Sequence, residues 1–162
     1  MKYSKIIHLD PEKTTPVGFA RYAEEFFLSS IIVERELGLK IGAGQIPTVP
    51  SLYLIGHSIE LALKAYVLTH KNSLDDLISL GHDLERCYQE AQIFSIGNKF
   101  FPTQQELGAF ELLDNLYSTK QLEYIVSGNK NMPLFSLVQS FSNKLLLAVF
   151  RHVGYPNEIS ME

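Results

Sequence analysis

The chain has 162 residues, of which 46% are apolar and 20% are charged. This is the size and composition of one globular domain whose core needs neither disulfides nor a metal to be stable. The formal net charge of −4 argues against a strongly basic nucleic-acid-binding surface. The single cysteine, Cys87, excludes an internal disulfide and favours a reducing, cytoplasmic setting. No stretch approaches the roughly 18 apolar residues that span a bilayer, and the N-terminus MKYSKIIHLD lacks the apolar core of a signal peptide, so we expect no membrane association.

The first predicted helix covers 16–36. Thr15 is suited to the N-cap position and Pro16 to the first helical position. Apolar residues then recur at three- and four-residue steps, as on one face of a helix. Gly38 is the predicted stop, and the glycines and prolines of 38–50 predict a loop.

Further start and stop signals predict three more main helices, with a shorter helical region packed beside them. The main helices are 51–71, 103–118 and 134–153, and the shorter region is 73–96. Ser73 and Thr103 each begin a sequence typical of a capping box. Residues 119–132 are ambiguous, because three apolar residues alternate there as in a strand that has no partner.

These elements predict an all-α fold, an up-and-down bundle of four to five main helices. We expect one domain over 1–162, with loosely ordered ends at 1–14 and 155–162. Whether 83–96 belongs to the bundle or lies across its end stays open. The last helix is apolar on more than one side, which predicts a covering partner and hence a homodimer.

The stretch GHSIELALKAY, residues 56–66, places His57, Glu60 and Lys64 on a narrow polar stripe of an otherwise apolar helix. A helix that is apolar around its circumference is buried, so the stripe is either its one solvent-exposed edge or a buried row of polar side chains. In the structural interpretation, Glu60 and Lys64 form an i, i+4 ion pair. In the functional one, His57 beside a carboxylate is oriented to act as a base or a ligand.

A metal site is a further alternative. Glu60 lies three residues after His57, and both could reach one ion if His82 and Asp83 supplied the remaining ligands of a zinc site. An Asp at a helix start is, however, commonly a cap. We therefore expect no metal and no cofactor.

Two stretches together resemble the HEPN superfamily. They are GHSIELALKAY at 56–66 and GHDL at 81–84. Members of this superfamily often carry a histidine, a glutamate and a leucine–lysine step on one bundle helix, followed by a His-Asp/Asn-Leu step at the start of the next segment. The stretch KQLEY at 120–124, followed by Pro133 and an apolar helix, is similar to the closing half of such domains.

The resemblance implies a compact helical bundle, usually dimeric, from a prokaryotic setting connected with RNA, nucleotides, toxin–antitoxin pairs or phage defence. Many HEPN proteins are metal-independent ribonucleases whose signature is an arginine, four to six intervening residues and a histidine. None of the arginines here has a histidine at that distance; they are Arg21, Arg35, Arg86 and Arg151.

We therefore predict a non-catalytic HEPN-like module that binds RNA, a nucleotide or a partner protein such as a nucleotidyltransferase. The predicted ligand-binding residues are His57, Glu60, Lys64, His82 and Asp83. The alternative is a divergent metal-independent ribonuclease or other hydrolase that uses His57, Glu60 and His82, which requires both imidazoles to converge on one cleft.

Overall fold

The structure is a computed structural model that describes residues 14–41, 46–71, 73–124, 128 and 130–156, with the backbone alone at 39–41. These residues form six α-helices, one 3-10 turn and no strand. The helices are α1 Pro16–Ile41, α2 Val49–Lys71, α3 Leu74–Leu80, α4 Leu84–Ile93, α5 Gln104–Ser118 and α6 Phe135–Val153. The predicted all-α bundle is confirmed.

Helix α2 lies at the centre of the bundle and contacts each of the other five helices. Its apolar residues cover most of its circumference, so it is buried on several sides at once. Helix α1 runs antiparallel to it: Glu34 accepts hydrogen bonds from Thr48 and Ser51, while Ser58 donates to the carbonyl of Ala23 at the other end. This pair of helices forms the most extensive interface in the bundle.

Helices α5 and α6 form the second antiparallel pair. The rings of Phe110 and Phe141 stack with their centroids 4.7 Å apart, and Glu106 near the start of α5 pairs with Lys144 in the middle of α6. Helix α6 also packs against α1 and α2, which completes the four-helix arrangement. Helix α4 packs along α2 and α5, so this part of 83–96 belongs to the packed helices.

Two of the predicted helix starts are confirmed by their hydrogen bonds. The Thr15 hydroxyl accepts from the backbone N–H of Gly18, and Thr103 and Glu106 form both bonds of a capping box. The capping box predicted at Ser73 is wrong, because the Ser73 side chain makes no capping bond. The residue three positions on is Asp76, whose side chain is one methylene shorter than the glutamate of a capping box.

Two predicted helix ends differ from those in the structure, and the ambiguous segment can now be described in part. Gly38 does not end α1, which continues to Ile41; a glycine that keeps helical dihedrals costs a helix only about 1 kcal/mol. Helix α4 ends at Ile93 because Ser95 adopts a left-handed conformation, with φ of 65°. The described part of 119–132 contains turns and no strand, and residues 125–127 and 129 lie outside the described residues.

The predicted loose ends fall largely outside the described residues, which begin at Thr14 and end at Pro156. Tyr155, within the predicted loose C-terminal end, packs its ring against Phe150 and donates a 2.5 Å hydrogen bond to Glu24 of α1. This contact ties the residue after α6 to the bundle.

The apolar sides of α6 are covered by the chain itself. Leu145, Leu146, Val149 and Phe150 are all buried against the other helices. The observation that led us to predict a homodimer therefore no longer supports one, and the homodimer stays a prediction. Among the described residues, no helix combines the length and the hydropathy that a membrane crossing requires.

Candidate functional site

The carboxylate of Glu60 is the centre of the candidate site, and it is only 2% exposed. Its Oε1 accepts a 2.7 Å hydrogen bond from the ammonium group of Lys64, one turn further along α2. Its Oε2 accepts from the hydroxyl of Tyr117 in α5 at 2.7 Å and from Nδ1 of His82, between α3 and α4, at 3.0 Å. One buried carboxylate thus gathers side chains from three parts of the fold.

His57 joins the same group through Tyr117. Its Nδ1 lies 3.0 Å from the Tyr117 hydroxyl oxygen and 3.7 Å from Glu60 Oε2, which is too long for a direct hydrogen bond. Because the Tyr117 hydroxyl donates to Glu60, its oxygen must accept from Nδ1–H of His57. The imidazole is also flanked by Phe26, edge-on at 4.5 Å, and by Tyr53.

Both histidines are consequently held in the same tautomer. His82 also donates through Nδ1, since its partner Glu60 is an ionised carboxylate and accepts only. In the neutral form of each ring, Nε2 then carries the free lone pair. No hydrogen bond joins either Nε2 to another described residue.

Lys64 connects α2 to the turn that carries His82. Its ammonium group donates to the carbonyl of Gly81 at 2.7 Å as well as to Glu60. Gly81 ends α3 with φ of 59° and ψ of −138°, a conformation that glycine adopts readily and other residues do not. Gly81 therefore ends α3, presents its carbonyl to Lys64 and places the next side chain, His82, beside Glu60.

The electrostatics of the group keep Glu60 ionised. Burial alone raises the pKa of Glu60, but the neighbouring His57, the charge and hydrogen bond of Lys64 and the hydroxyl of Tyr117 outweigh it and hold that pKa well below its usual range. Burial, followed by the charge of Glu60, raises the pKa of Tyr117 well above its usual value. Tyr117 thus keeps its proton and remains a donor.

A pocket of about 500 Å³ opens over this group. Four of the hydrogen-bonded side chains form one polar end of the pocket, His57, Glu60, Lys64 and His82, and Thr14 is a further polar residue of its lining. Its walls are mainly apolar and come from α1, α2 and α3: Phe19, Tyr22, Leu61, Leu74, Leu77 and Ile78. This volume and this mixture, an apolar wall with a few convergent polar groups, are typical of small-molecule sites.

The structure thus brings together four of the five predicted ligand-binding residues. Asp83 is the exception: it is the N-cap of α4, where its carboxylate accepts from the backbone N–H of Arg86 at 2.8 Å, and it does not line the pocket. The polar stripe of α2 was expected to be either exposed or buried. Glu60 and Lys64 are buried, whereas the His57 side chain is one-quarter exposed. No group of three or more histidine, cysteine or acidic side chains within the described residues is arranged to hold a metal ion.

Tyr117 is the site residue that sequence reasoning missed, since it lies 57 positions beyond Glu60 in another helix. One signal for it existed in the sequence: Gly56, a glycine inside a predicted buried helix. A Cβ at Gly56 would lie 2.6 Å from the Tyr117 ring, so the glycine allows α5 to approach α2 at this point. The sequence could have indicated a close contact there, though not with which residue.

Two other side chains with reactive groups, Cys87 and His152, lie outside the pocket. Cys87 is fully buried, and burial raises the pKa of its thiol to about 12, which leaves it protonated and unreactive. His152 lies in the last turn of α6, away from the pocket. Its Nδ1 lies 2.7 Å from the ammonium group of Lys99, so the ring must be neutral to accept that hydrogen bond.

Comparison of the chain with protein-family models, with curated proteins and with solved structures gave no match. The resemblance to the HEPN superfamily therefore stays a prediction.

Proposed function

We propose that this protein is a non-catalytic binding module whose pocket takes a nucleotide, either free or at the end of an RNA chain. The observation that carries the proposal is the pair of histidines, His57 and His82, which face one pocket and are both oriented by the buried carboxylate of Glu60. The opposite charges of Glu60 and Lys64 cancel, so protonation of either imidazole makes the pocket positive. A protonated imidazole donates from Nε2 to a phosphate oxygen, and charge-assisted bonds of this kind are among the stronger ones.

The apolar walls support a nucleotide over a bare phosphate. A site for inorganic phosphate needs donors on several sides, whereas Leu61, Leu74 and Leu77 supply none. A ligand that fills this pocket has a polar end and a larger, flat or apolar part. A nucleotide has both.

Isothermal titration calorimetry with adenosine 5′-monophosphate, the corresponding di- and triphosphates and a 5′-phosphorylated RNA oligonucleotide tests the proposal. We expect saturable binding that His82→Ala weakens by about tenfold or more, because one charge-assisted bond contributes on the order of 1.5–3 kcal/mol. His70→Ala is the matched control, since His70 is exposed and does not line the pocket. The absence of saturable binding to every probe, or unchanged binding in His82→Ala, would refute the proposal.

A divergent ribonuclease is the second candidate, and one observation favours it. His57 and His82 do converge on one cleft, with their Nδ1 atoms 3.7 Å and 3.0 Å from the same oxygen of Glu60. Two histidines so placed are suited to act as general base and general acid. We nevertheless expect mixed RNA to stay intact during incubation with the protein in the presence of a chelator. Cleavage that disappears in His57→Ala would replace the binding module by the enzyme.

The HEPN relationship, the homodimer, the nucleotidyltransferase-like partner and the toxin–antitoxin or phage-defence setting derive from the sequence resemblance and stay predictions. The geometry of the pocket supports nucleotide binding independently of them. The proposal therefore needs neither a partner nor a named family.

A further inference from the structure

We infer that Tyr22 of α1 and Ile78 of α3 hold the base of the nucleotide at the mouth of the pocket, while its phosphate faces His57 and His82. This inference rests on the proposed function and deepens it, because it assigns each part of the ligand to one end of the pocket. It makes Tyr22 a specificity-determining residue that selects ligands carrying an aromatic base.

The exposure of the two side chains is the first observation. Tyr22 is 55% exposed and Ile78 is 53% exposed, although both line the pocket. The other wall residues are covered to a greater extent: Leu61 and Leu77 are buried, and Phe19 is partly buried against the core. The two large side chains that a ligand can cover thus lie on different helices at the solvent side of the pocket.

The second observation is that the Tyr22 ring has no aromatic neighbour. None of the ring–ring contacts among the described residues involves it, whereas most other rings near the site, such as Phe26, Tyr53 and Tyr117, are paired. Within the described part of the chain, the group over this ring is the guanidinium of Arg21, 6.0 Å from the ring centroid, and that group is already paired with Glu25 at 3.0 Å. A face of the ring is therefore available for stacking.

The chemistry of a nucleotide matches this division. A base is planar and stacks on an aromatic side chain with a gain of about 1–3 kcal/mol, and an aliphatic side chain can cover its other face. At the opposite end, the ion pair of Glu60 and Lys64 is neutral overall, so the two histidines are the groups that bind the phosphate. A free nucleotide and a terminal nucleotide of RNA share this chemistry.

The test compares a ligand that has a base with one that lacks it. The affinities of adenosine 5′-monophosphate and of ribose 5-phosphate are measured by calorimetry for the wild type and for Tyr22→Ala, Tyr22→Phe and Tyr124→Ala. Tyr124 is the matched control because it is a tyrosine that is also more than half exposed, at 66%, and does not line the pocket. A 5′-phosphorylated oligonucleotide and the free nucleotide, titrated in parallel, distinguish the two sources of the ligand.

We expect Tyr22→Ala to weaken the binding of adenosine 5′-monophosphate by roughly 5- to 100-fold, which corresponds to the loss of one stacked base. The affinity for ribose 5-phosphate should stay unchanged. Tyr22→Phe and Tyr124→Ala should bind both ligands as the wild type does. An equal loss for both ligands in Tyr22→Ala, or no loss for either, would overturn the inference. If His82→Ala still weakens nucleotide binding in that case, the proposed function stands without this inference. If the wild type binds no nucleotide at all, the proposed function and the inference both fail.

Discussion

Glu60 shows how a single residue organises the site. A buried carboxylate is costly unless it is paired and hydrogen-bonded, and here Lys64, Tyr117 and His82 each donate a hydrogen bond to it. A buried ion pair of this kind is weak support for stability, since the cost of removing both charges from water offsets much of their attraction. Its clearer effect is on geometry, because it fixes the positions of the hydrogen-bond donors around one point.

Gly56 gives a prediction at the same scale, because its missing side chain lets Tyr117 reach Glu60. In Gly56→Ala the added methyl group would lie 2.6 Å from Cδ2 and 3.1 Å from Cγ of Tyr117. The ring must move, although alanine by itself favours a helix by about 1 kcal/mol. We expect a net loss of about 1–2 kcal/mol in the free energy of unfolding, measured by urea denaturation.

The control is another helical glycine. Gly108 in α5 has no atom within 4 Å of the position that a Cβ would occupy. Gly108→Ala should therefore stabilise the protein by up to about 1 kcal/mol. Equal effects of the two substitutions would contradict the role that we assign to Gly56.

At the scale of elements, Glu106 joins the start of α5 to the middle of α6. Its carboxylate closes the capping box on the backbone N–H of Thr103 and also accepts from Ser140 and from Lys144 at 2.8 Å. Burial alone raises the pKa of Glu106, but these bonds outweigh it and lower that pKa to about 2. The cap is a local feature, whereas the bonds to α6 depend on the packing of two helices.

Glu106→Gln tests the part that depends on charge. Glutamine can still close a capping box, so the substitution removes mainly the ion pair with Lys144. We expect a loss of about 1 kcal/mol in the free energy of unfolding at neutral pH, because Lys144 is partly exposed and the pair is partly screened. Glu111→Gln, an exposed acid on the same helix, should change it by less than about 0.5 kcal/mol. A similar loss in both variants would mean that the bonds to α6 contribute nothing specific.

For the whole molecule, His152 joins the C-terminal ends of α2 and α6 to the turn after α4. Its ring is hydrogen-bonded to Lys99 and Thr69, stacks on the ring of His70 and contacts the ring of Tyr66 at a tilt. Burial first, then the positive Lys99 and the neighbouring His70, lower the pKa of His152 below 6.5. Protonation would place two cations at a hydrogen-bonding distance.

The free energy of unfolding should consequently fall in two stages as the pH is lowered. A histidine whose pKa is lower in the folded state contributes stability that is complete above the unfolded value of 6.5 and is lost as the pH falls below it. The carboxylates of Glu60 and Glu106, whose pKa values are also lowered, contribute stability that is lost below the unfolded value of 4.5. Urea denaturation from about pH 8, above the unfolded value of His152, down to about pH 2, the folded-state pKa of Glu106, follows both stages.

Two variants separate these stages. His152→Gln should remove the upper stage and leave the lower one, and Glu106→Gln should reduce the lower stage and leave the upper one. An upper stage that persists unchanged in His152→Gln would assign it to a different group.

Local patterns in the chain were enough for the class of fold. Caps, prolines and apolar periodicity are properties of neighbouring residues, and they placed the four main helices near their true positions. Errors occurred where a local signal has two outcomes. Gly38 can end a helix or continue it, and alternation in 119–132 suits a strand or a turn that buries Leu122.

The candidate site was predictable only in part, for the same reason. Three of its residues lie within two turns of one helix, so their spacing placed them together: His57, Glu60 and Lys64. His82 was predicted from the sequence GHDL at 81–84. Tyr117 reaches Glu60 only because α5 packs at Gly56, and the walls of the pocket come from three helices. Periodicity assigns a residue to a face of its own helix, whereas the face it meets on another helix is decided by how all the helices pack together.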